Sequence, residues 1–278
     1  MTGSGGTVNL VSRRSLAERN LTMAATRERD GSTVDTAEVA RFDALARTWW
    51  DPKGPMAVLH KFNPIRLGFV RDLACAQFAR DNRSLRALEG LTLVDIGCGG
   101  GVLSEPLARL GAGVTGLDPA PTNIEVARAH AQAAGLAIDY RDETIEAVVA
   151  RGERFDIVLA MEVVEHVADV EAFVSACCAA VKPGGLLVMA TLNRTLKSYA
   201  LAIVGAEYVL RWLPRGTHDW NKFVTPRELG DAISGCGLDL GEGVGVVYNP
   251  LSDQWSASRD MDVNYMLAAS RPAQRDQT

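Results

Sequence analysis

Three observations predict an α/β fold: a doubly wound, mostly parallel sheet of about seven strands with an antiparallel hairpin at one edge. Short apolar runs alternate with segments of helical period. The first run opens into a glycine-rich loop that leads into a helix. The last two runs have no helix-length segment between them, so they pair as a hairpin rather than through a crossover.

Each element follows from its pattern. Residues 1–32 are rich in Gly, Ser, Thr and charge with little apolar periodicity, and read as a disordered tail in which Met23 is an alternative start. The domain then spans 33–272 and begins with two helices within 35–80. In the first, at 35–50, Val39, Phe42, Leu45, Ala46 and Trp49 recur at steps of three and four. The second is expected to start at Pro64, a residue suited to a first helical turn, and to run to about Arg80. Buried parallel strands are expected at Thr92–Ile96, Gly113–Leu117, Phe155–Met161 and 186–191, with helices at 102–110, 122–134 and 170–181 between them. A further helix at 229–236 precedes the closing strands, 243–248 and Asn264–Ser270. One stretch, 194–222, intrudes where a short strand-to-helix loop is expected.

Composition bounds the function. The chain has 278 residues, 47% of them hydrophobic, which is ample for a buried core. A net charge of −5 has the wrong sign for a partner with a phosphate backbone, so nucleic acid is not expected. The 5 cysteines are odd in number and form no C-x-x-C pair, which argues against a disulfide framework or a thiolate zinc site and for a reducing cytoplasm. No apolar stretch is long enough to span a bilayer, and Arg13 and Arg14 are not followed by the apolar region of a secretory signal.

The strongest local signal is Asp95-Ile96-Gly97-Cys98-Gly99-Gly100-Gly101-Val102, placed where a strand gives way to a helix N-terminus. Glycines there allow a tight turn and let a ligand approach the backbone amides. A dinucleotide fingerprint would place Gly or Ala where Val102 stands. The acid at Asp95 also suits a cationic ligand better than a pyrophosphate, which points to S-adenosylmethionine, with its ammonium and sulfonium. Asp118 ends the next strand, where an acid can accept hydrogen bonds from both ribose hydroxyls; the alternative is a helix cap ahead of Pro119. Cys98 sits within the loop, but methyl transfer needs no covalent intermediate, so it is assigned to packing.

Several further stretches carry a more specific resemblance. Trp49-Trp50-Asp51, Asn63-Pro64-Ile65-Arg66-Leu67, Met161-Glu162-Val163-Val164-Glu165-His166, Gly216-Thr217-His218-Asp219 and Asp262-Val263-Asn264-Tyr265-Met266 occur in this order. Together, over roughly 34–271, the chain resembles the ubiquinone-biosynthesis O-methyltransferases, class I S-adenosylmethionine-dependent enzymes with a Rossmann-like fold. The resemblance implies methylation of phenolic or catecholic hydroxyls on polyprenylated rings (3-demethylubiquinol and 2-polyprenyl-6-hydroxyphenol). It also implies cofactor contacts from Arg66, Gly97, Asp118 and Met161, to which the loop reading adds Asp95 and Gly99. Methylation of another small phenol and a non-catalytic cofactor-binding subunit are the alternatives.

Glu162, Glu165 and His166 lie where the fourth strand enters a turn. Three readings stay open. All three residues bind Mg²⁺ or a similar ion that activates the catechol, as in eukaryotic relatives of the family. Or His166 is the general base and Glu165 orients its ring. Or the three are caps. His60 and His218 could line the pocket, and His130 is expected at the surface. The intruding 194–222 stretch is apolar and aromatic around Tyr199, Leu201, Tyr208, Trp212 and Leu213. Its charges are Arg194, Lys197, Arg211, Arg215 and Lys222 against Glu207 and Asp219. That pattern predicts peripheral contact with anionic lipid on the inner face of the cell membrane, with a lid or a dimer contact as the alternatives. Association with other ubiquinone-biosynthesis proteins is a further implication of the resemblance.

Overall fold

The structure is a computed structural model that describes residues 32–199, 201 and 220–273; all of the expected N-terminal tail but Ser32, and most of the intruding stretch, lie outside these. The chain enters through α1 (Thr36–Leu45), whose first turn is capped by the Asp35 side chain accepting from the Ala37 amide, and a 3₁₀ turn at Ala46–Thr48. Next comes α2 (Ala57–Gln77), which buries Phe62, Arg66, Val70 and Ala74, a stripe at four-residue steps. Here the expectation is corrected. The helix starts seven residues before the predicted Pro64 (64 − 57 = 7), and the proline sits inside it. Burial of Phe62 and Asn63 just before the proline, and of Arg66 after it, outweighs the lost hydrogen bond.

Alternating strands and helices follow: β1 (Thr92–Ile96), α3 (Ser104–Arg109), β2 (Gly113–Leu117), α4 (Pro121–Ala133), β3 (Asp139–Arg141), α5 (Ile145–Ala150), β4 (Phe155–Met161), α6 (Val170–Ala179) and β5 (Val181–Leu192). Then come α7 (Pro226–Gly235), β6 (Asp239–Leu240), β7 (Val244–Asn249), β8 (Gln254–Ser258) and β9 (Asn264–Ser270). The sheet has nine strands in the order β3-β2-β1-β4-β5-β9-β7-β8, with β6 also pairing β9. Its β3-to-β5 part is parallel, and β9 and β7 are antiparallel to their neighbours.

The alternation in β4 shows how the layers form. Ile157, Leu159 and Met161 face the core under α2 and α3, while Val158 and Ala160 face the core under α6 and α7. The expected closing strands do pair, Val244 opposite Met266, but not as the edge. β9 lies inside against β5, and the edge is β8, a strand the sequence reading missed. Its Gln254–Ser258 run is mostly exposed and carries no apolar pattern. β5 also begins earlier than expected, because Val181 pairs with Phe155 across an irregularity before Ile157. α7 starts at Pro226 rather than Leu229, where a capping box joins Thr225 and Glu228.

Candidate functional site

The carboxyl ends of β2, β1 and β4 lie side by side, with Ile96 paired to both Leu117 and Ala160. The sheet order runs outward in both directions from β1, so this is a topological switch point, where α/β sheets hold ligands. A cavity of about 670 Å³ opens there, within the usual ligand range of about 300–1,000 Å³.

At one end is the glycine loop. Gly97, Gly99 and Gly101 all have positive φ, so the turn itself demands glycine. The loop is also packed by the chain: a Cβ on Gly97 would run into Val163, and one on Gly99 or Gly100 into the Trp49 indole. Gly99 is buried under Trp49 and donates its N–H to Asp118 Oδ2 at 3.0 Å. Asp118 Oδ1 accepts from the Ala120 amide at 2.9 Å and from Asn123 Nδ2 at 3.1 Å, and Asn123 in turn accepts from Trp49 Nε1 at 2.8 Å. A carboxylate offers about four acceptor sites, and the chain already uses most of them on Asp118. Asp118 is not the helix cap, since the N-cap is Ala120 and has no side-chain bond; it closes the turn before the helix and lines the cavity.

Three more expected residues converge beside the loop. Asp95 is buried, and burial pushes its carboxyl up to about 6 although Ser104 Oγ donates to it at 2.6 Å. Arg66 is buried on α2, held by Asn63 Oδ1 at 3.1 Å, and its Nε has no protein partner. Burial works against its charge, while Glu162 and Asp95 support it. Met161 ends β4 on the cavity wall. Glu162 follows at φ +61, a conformation costly for a residue with a side chain, and its Oε1 is buried without a partner. Burial, and then the neighbouring Glu165, push its carboxyl up to about 8 against the pull of Arg66.

The other end belongs to the histidine. His166 stands on a 3₁₀ turn, with Nδ1 3.1 Å from Glu38 Oε2 and its ring edge-on to Phe42 at 5.0 Å. Glu38 also meets Arg41 at 2.7 Å and Lys222 at 3.3 Å, and the hydrogen bond from His166 is the main reason its carboxyl is held down to about 2. The expected orienting acid is thereby corrected: Glu38 holds the ring, and Glu165 is buried with Oε2 accepting from Thr191 Oγ1 at 2.7 Å. Among the described residues no three His, Cys, Asp or Glu side chains are grouped so as to hold a metal ion. Glu165 Oε2 is bonded to Thr191 and His166 Nδ1 to Glu38, and Glu162 Oε1 is buried without a partner.

Glu38 and Asn123 have no motif to mark them; they join the site through their bonds to His166 and Asp118. The Trp pair had one, since Trp49-Trp50 is part of the family-like sequence. Trp50 donates to Gly100 O at 2.8 Å and stacks on His130 at 3.5 Å, and His130 bonds the buried Glu105 at 2.5 Å. His130, expected as a plain surface residue, is thus half-buried because the Trp pair needs a partner there. His60 Nε2 donates to Trp49 O, 2.7 Å away, and secures the same turn, while His218 lies outside the described residues.

Residues 94–189 match the protein family described as a methyltransferase domain. The chain is 67% identical over 243 residues to the ubiquinone biosynthesis O-methyltransferase of Methylobacterium sp. (strain 4-46), covering 87% of this chain and 98% of that protein. With the protein of the same name from Rhizobium etli (strain CFN 42) identity is 58% over 242 residues, again covering 87% and 98%. Among solved structures, magnesium protoporphyrin IX methyltransferase from Synechocystis PCC 6803 with bound SAH superposes with a TM-score of 0.57 at 20% identity, covering 90% of this chain and 99% of that one. That likeness shows the fold.

Proposed function

The chain belongs to the family of ubiquinone biosynthesis O-methyltransferases, and on that footing we propose which of its residues bind, orient and deprotonate. It is an S-adenosylmethionine-dependent O-methyltransferase acting on ubiquinone precursors. S-adenosylmethionine supplies an electrophilic methyl carbon on a sulfonium sulfur. The orphaned Arg66 Nε, the two buried acids and the glycine loop suit that ligand. In this reading Arg66 meets its carboxylate, Asp95 its ammonium and Asp118 its ribose, with the Met161 thioether against the adenine. Gly97 lets the chain turn close beneath it.

The histidine end supplies the base. A phenol of pKa about 10 is almost wholly protonated at pH 7, so its oxygen needs a proton acceptor as it attacks. Glu38 on Nδ1 selects the tautomer in which Nε2 is basic. His166 Nε2 takes the hydroxyl proton, the oxygen forms its bond to the methyl carbon as the sulfur–carbon bond breaks, and neutral S-adenosylhomocysteine leaves. The imidazolium then sits against Glu38, a carboxylate that stays ionised through the neutral range. The Glu38–His166 contact at the rim of the cofactor cavity is the observation that carries this mechanism. Incubating the purified protein with labelled S-adenosylmethionine and a short-chain polyprenyl catechol tests it: label in the catechol ether is expected, and unlabelled catechol would contradict it.

The stretch 194–222 is read as a peripheral contact with anionic lipid. Its charge pattern supports this, as do Leu196 at 83% exposed, Tyr199 at 47% and Leu201 at 54% near its start. Residues 200 and 202–219 lie outside those described. No helix among the described residues is long and apolar enough to cross a membrane. Co-sedimentation with anionic liposomes, lost when Tyr208, Trp212 and Leu213 are made polar, is the expected result; a wild type that never co-sediments contradicts it.

A further inference from the structure

A ring that reacts beside the glycine loop must send its isoprenoid tail out of the cavity by some path. Much of the wall near the reaction is unsuited to it, because Asp95, Glu162, Glu165, Glu38 and His166 line it. An apolar chain laid against those groups would desolvate them without bonding them. Among the apolar parts of the wall, one runs continuously outward along α2. Val58 and Phe62 line the cavity from α2 one turn apart, in register with Arg66 a turn further on. The Arg66 guanidinium lies 4.9 Å from the Phe62 ring centroid, Phe62 is 5.2 Å from Trp255, and Trp255 is 5.2 Å from Tyr248. This row of rings leads from the buried arginine to the surface.

At its outer end the row stops at a polar cluster. Tyr248 donates its hydroxyl to Asp253 Oδ1 at 2.7 Å, and Lys61 Nζ reaches both Asp253 oxygens, at 2.9 and 2.7 Å. Lys61 belongs to α2 and Asp253 to the turn between β7 and β8, so the cluster ties the two sides of the opening together. Asp253 has φ +51, a backbone conformation that such bonds help to maintain. Two residues earlier, Leu251 is 97% exposed, which carries the apolar character on to the outside. We infer that the substrate's isoprenoid tail leaves the cavity between α2 and the β7–β8 hairpin, along Phe62, Trp255 and Tyr248, through an exit whose width is set by Asp253 gripping Lys61 and Tyr248. This rests on the ubiquinone-precursor reading above. The occupant follows from continuity: the path starts where the ring reacts, and an isoprenoid chain is the part of that substrate that gains by apolar burial.

The test compares two catechols, one without a tail and one with a short isoprenoid tail, at saturating S-adenosylmethionine. Wild type is measured beside Tyr248→Ala, Tyr248→Phe and Asp253→Ala, with melting temperature and affinity for S-adenosylhomocysteine recorded for each. Tyr248→Ala and Asp253→Ala are expected to raise KM for the tailed catechol about tenfold and for the tail-less one less than about twofold, the split that loss of a tail contact produces. Tyr248→Phe keeps the ring and loses the bond to Asp253, so it should fall between wild type and Tyr248→Ala. Should Tyr248→Ala melt early, the surface substitution Asp253→Ala decides alone. Equal shifts for both catechols, or no shift, overturn the exit. A wild type that methylates both catechols with the same KM also overturns it while leaving the methyltransferase reading intact. A wild type that methylates neither removes that reading, and the exit with it.

Discussion

At the glycine-loop end of the cavity the acids are bonded mainly by groups close to them in sequence: Ser104 to Asp95, Ala120 and Asn123 to Asp118. At the histidine end the partners come from opposite parts of the chain, Glu38 to His166 and Lys222 to Glu38. The acids of the first end find their bonds once each strand and its following helix have formed, although Trp49 and Arg66 must still pack against them from the N-terminal region. The second end exists only when α1 has docked on the turn after β4. Acids bonded the first way keep those bonds with α1 displaced, whereas a proton acceptor built the second way does not.

This contrast makes the two ends separable by mutation. The largest effect is expected from His166→Ala, which should lower kcat by about 10²–10⁴, the usual worth of a positioned general base. Affinity for S-adenosylhomocysteine should stay within about twofold, since His166 belongs to the other end. A comparable loss of affinity would show that the ends are not independent. Asp118→Ala should do the reverse and weaken S-adenosylhomocysteine binding by ~1–3 kcal/mol, read by isothermal titration. Unchanged affinity would take Asp118 out of the ligand site and leave it as a turn residue.

Glu162 lies between the two ends and sharpens the comparison through pH. Its carboxyl rises from 4.5 to about 8 on folding, so the fold favours the protonated form. Stability tied to that proton is fully present below 4.5 and is lost as pH rises toward 8. Glu162→Gln has no such loss. Its melting temperature relative to wild type should therefore climb across that window, by about 2–4 °C for each kcal/mol. A difference that stays constant with pH would mean that Glu162 is ionised in the fold throughout. The smallest effect is expected at the Trp pair. Trp50→Phe removes the bond to Gly100 O and should cost about 1 kcal/mol in thermal unfolding, with kcat nearly unchanged.

The same contrast explains what was legible in the sequence. β1, β2 and β4 lie where their apolar runs put them, and the acid, glycine and methionine positions at their ends follow from the runs. Local pattern carries that information because the neighbours that matter are local. It does not carry Glu38, which looks like any charged residue in the first turn of a helix. Nor does it carry β8, an exposed edge strand defined by its pairing with β7 rather than by its own composition. Pro64 misled for a related reason: its intrinsic preference for a helix start gave way to the packing of Phe62, Asn63 and Arg66. Nor does local pattern show that Gly99 and Gly100 make room for Trp49, which arrives from an element distant in sequence.

The central claim is that Glu38 and His166 act as one unit, a base and the acid that orients it. A double-mutant cycle on kcat with a tailed catechol, at saturating S-adenosylmethionine, tests it most directly: wild type, Glu38→Gln, His166→Ala and the double variant. If the pair works as described, Glu38→Gln alone lowers kcat by about tenfold or more, and adding it to His166→Ala costs nothing further. Losses that multiply, with the double variant slower than His166→Ala by the full factor of Glu38→Gln, would mean that Glu38 acts by some other route and would contradict the account.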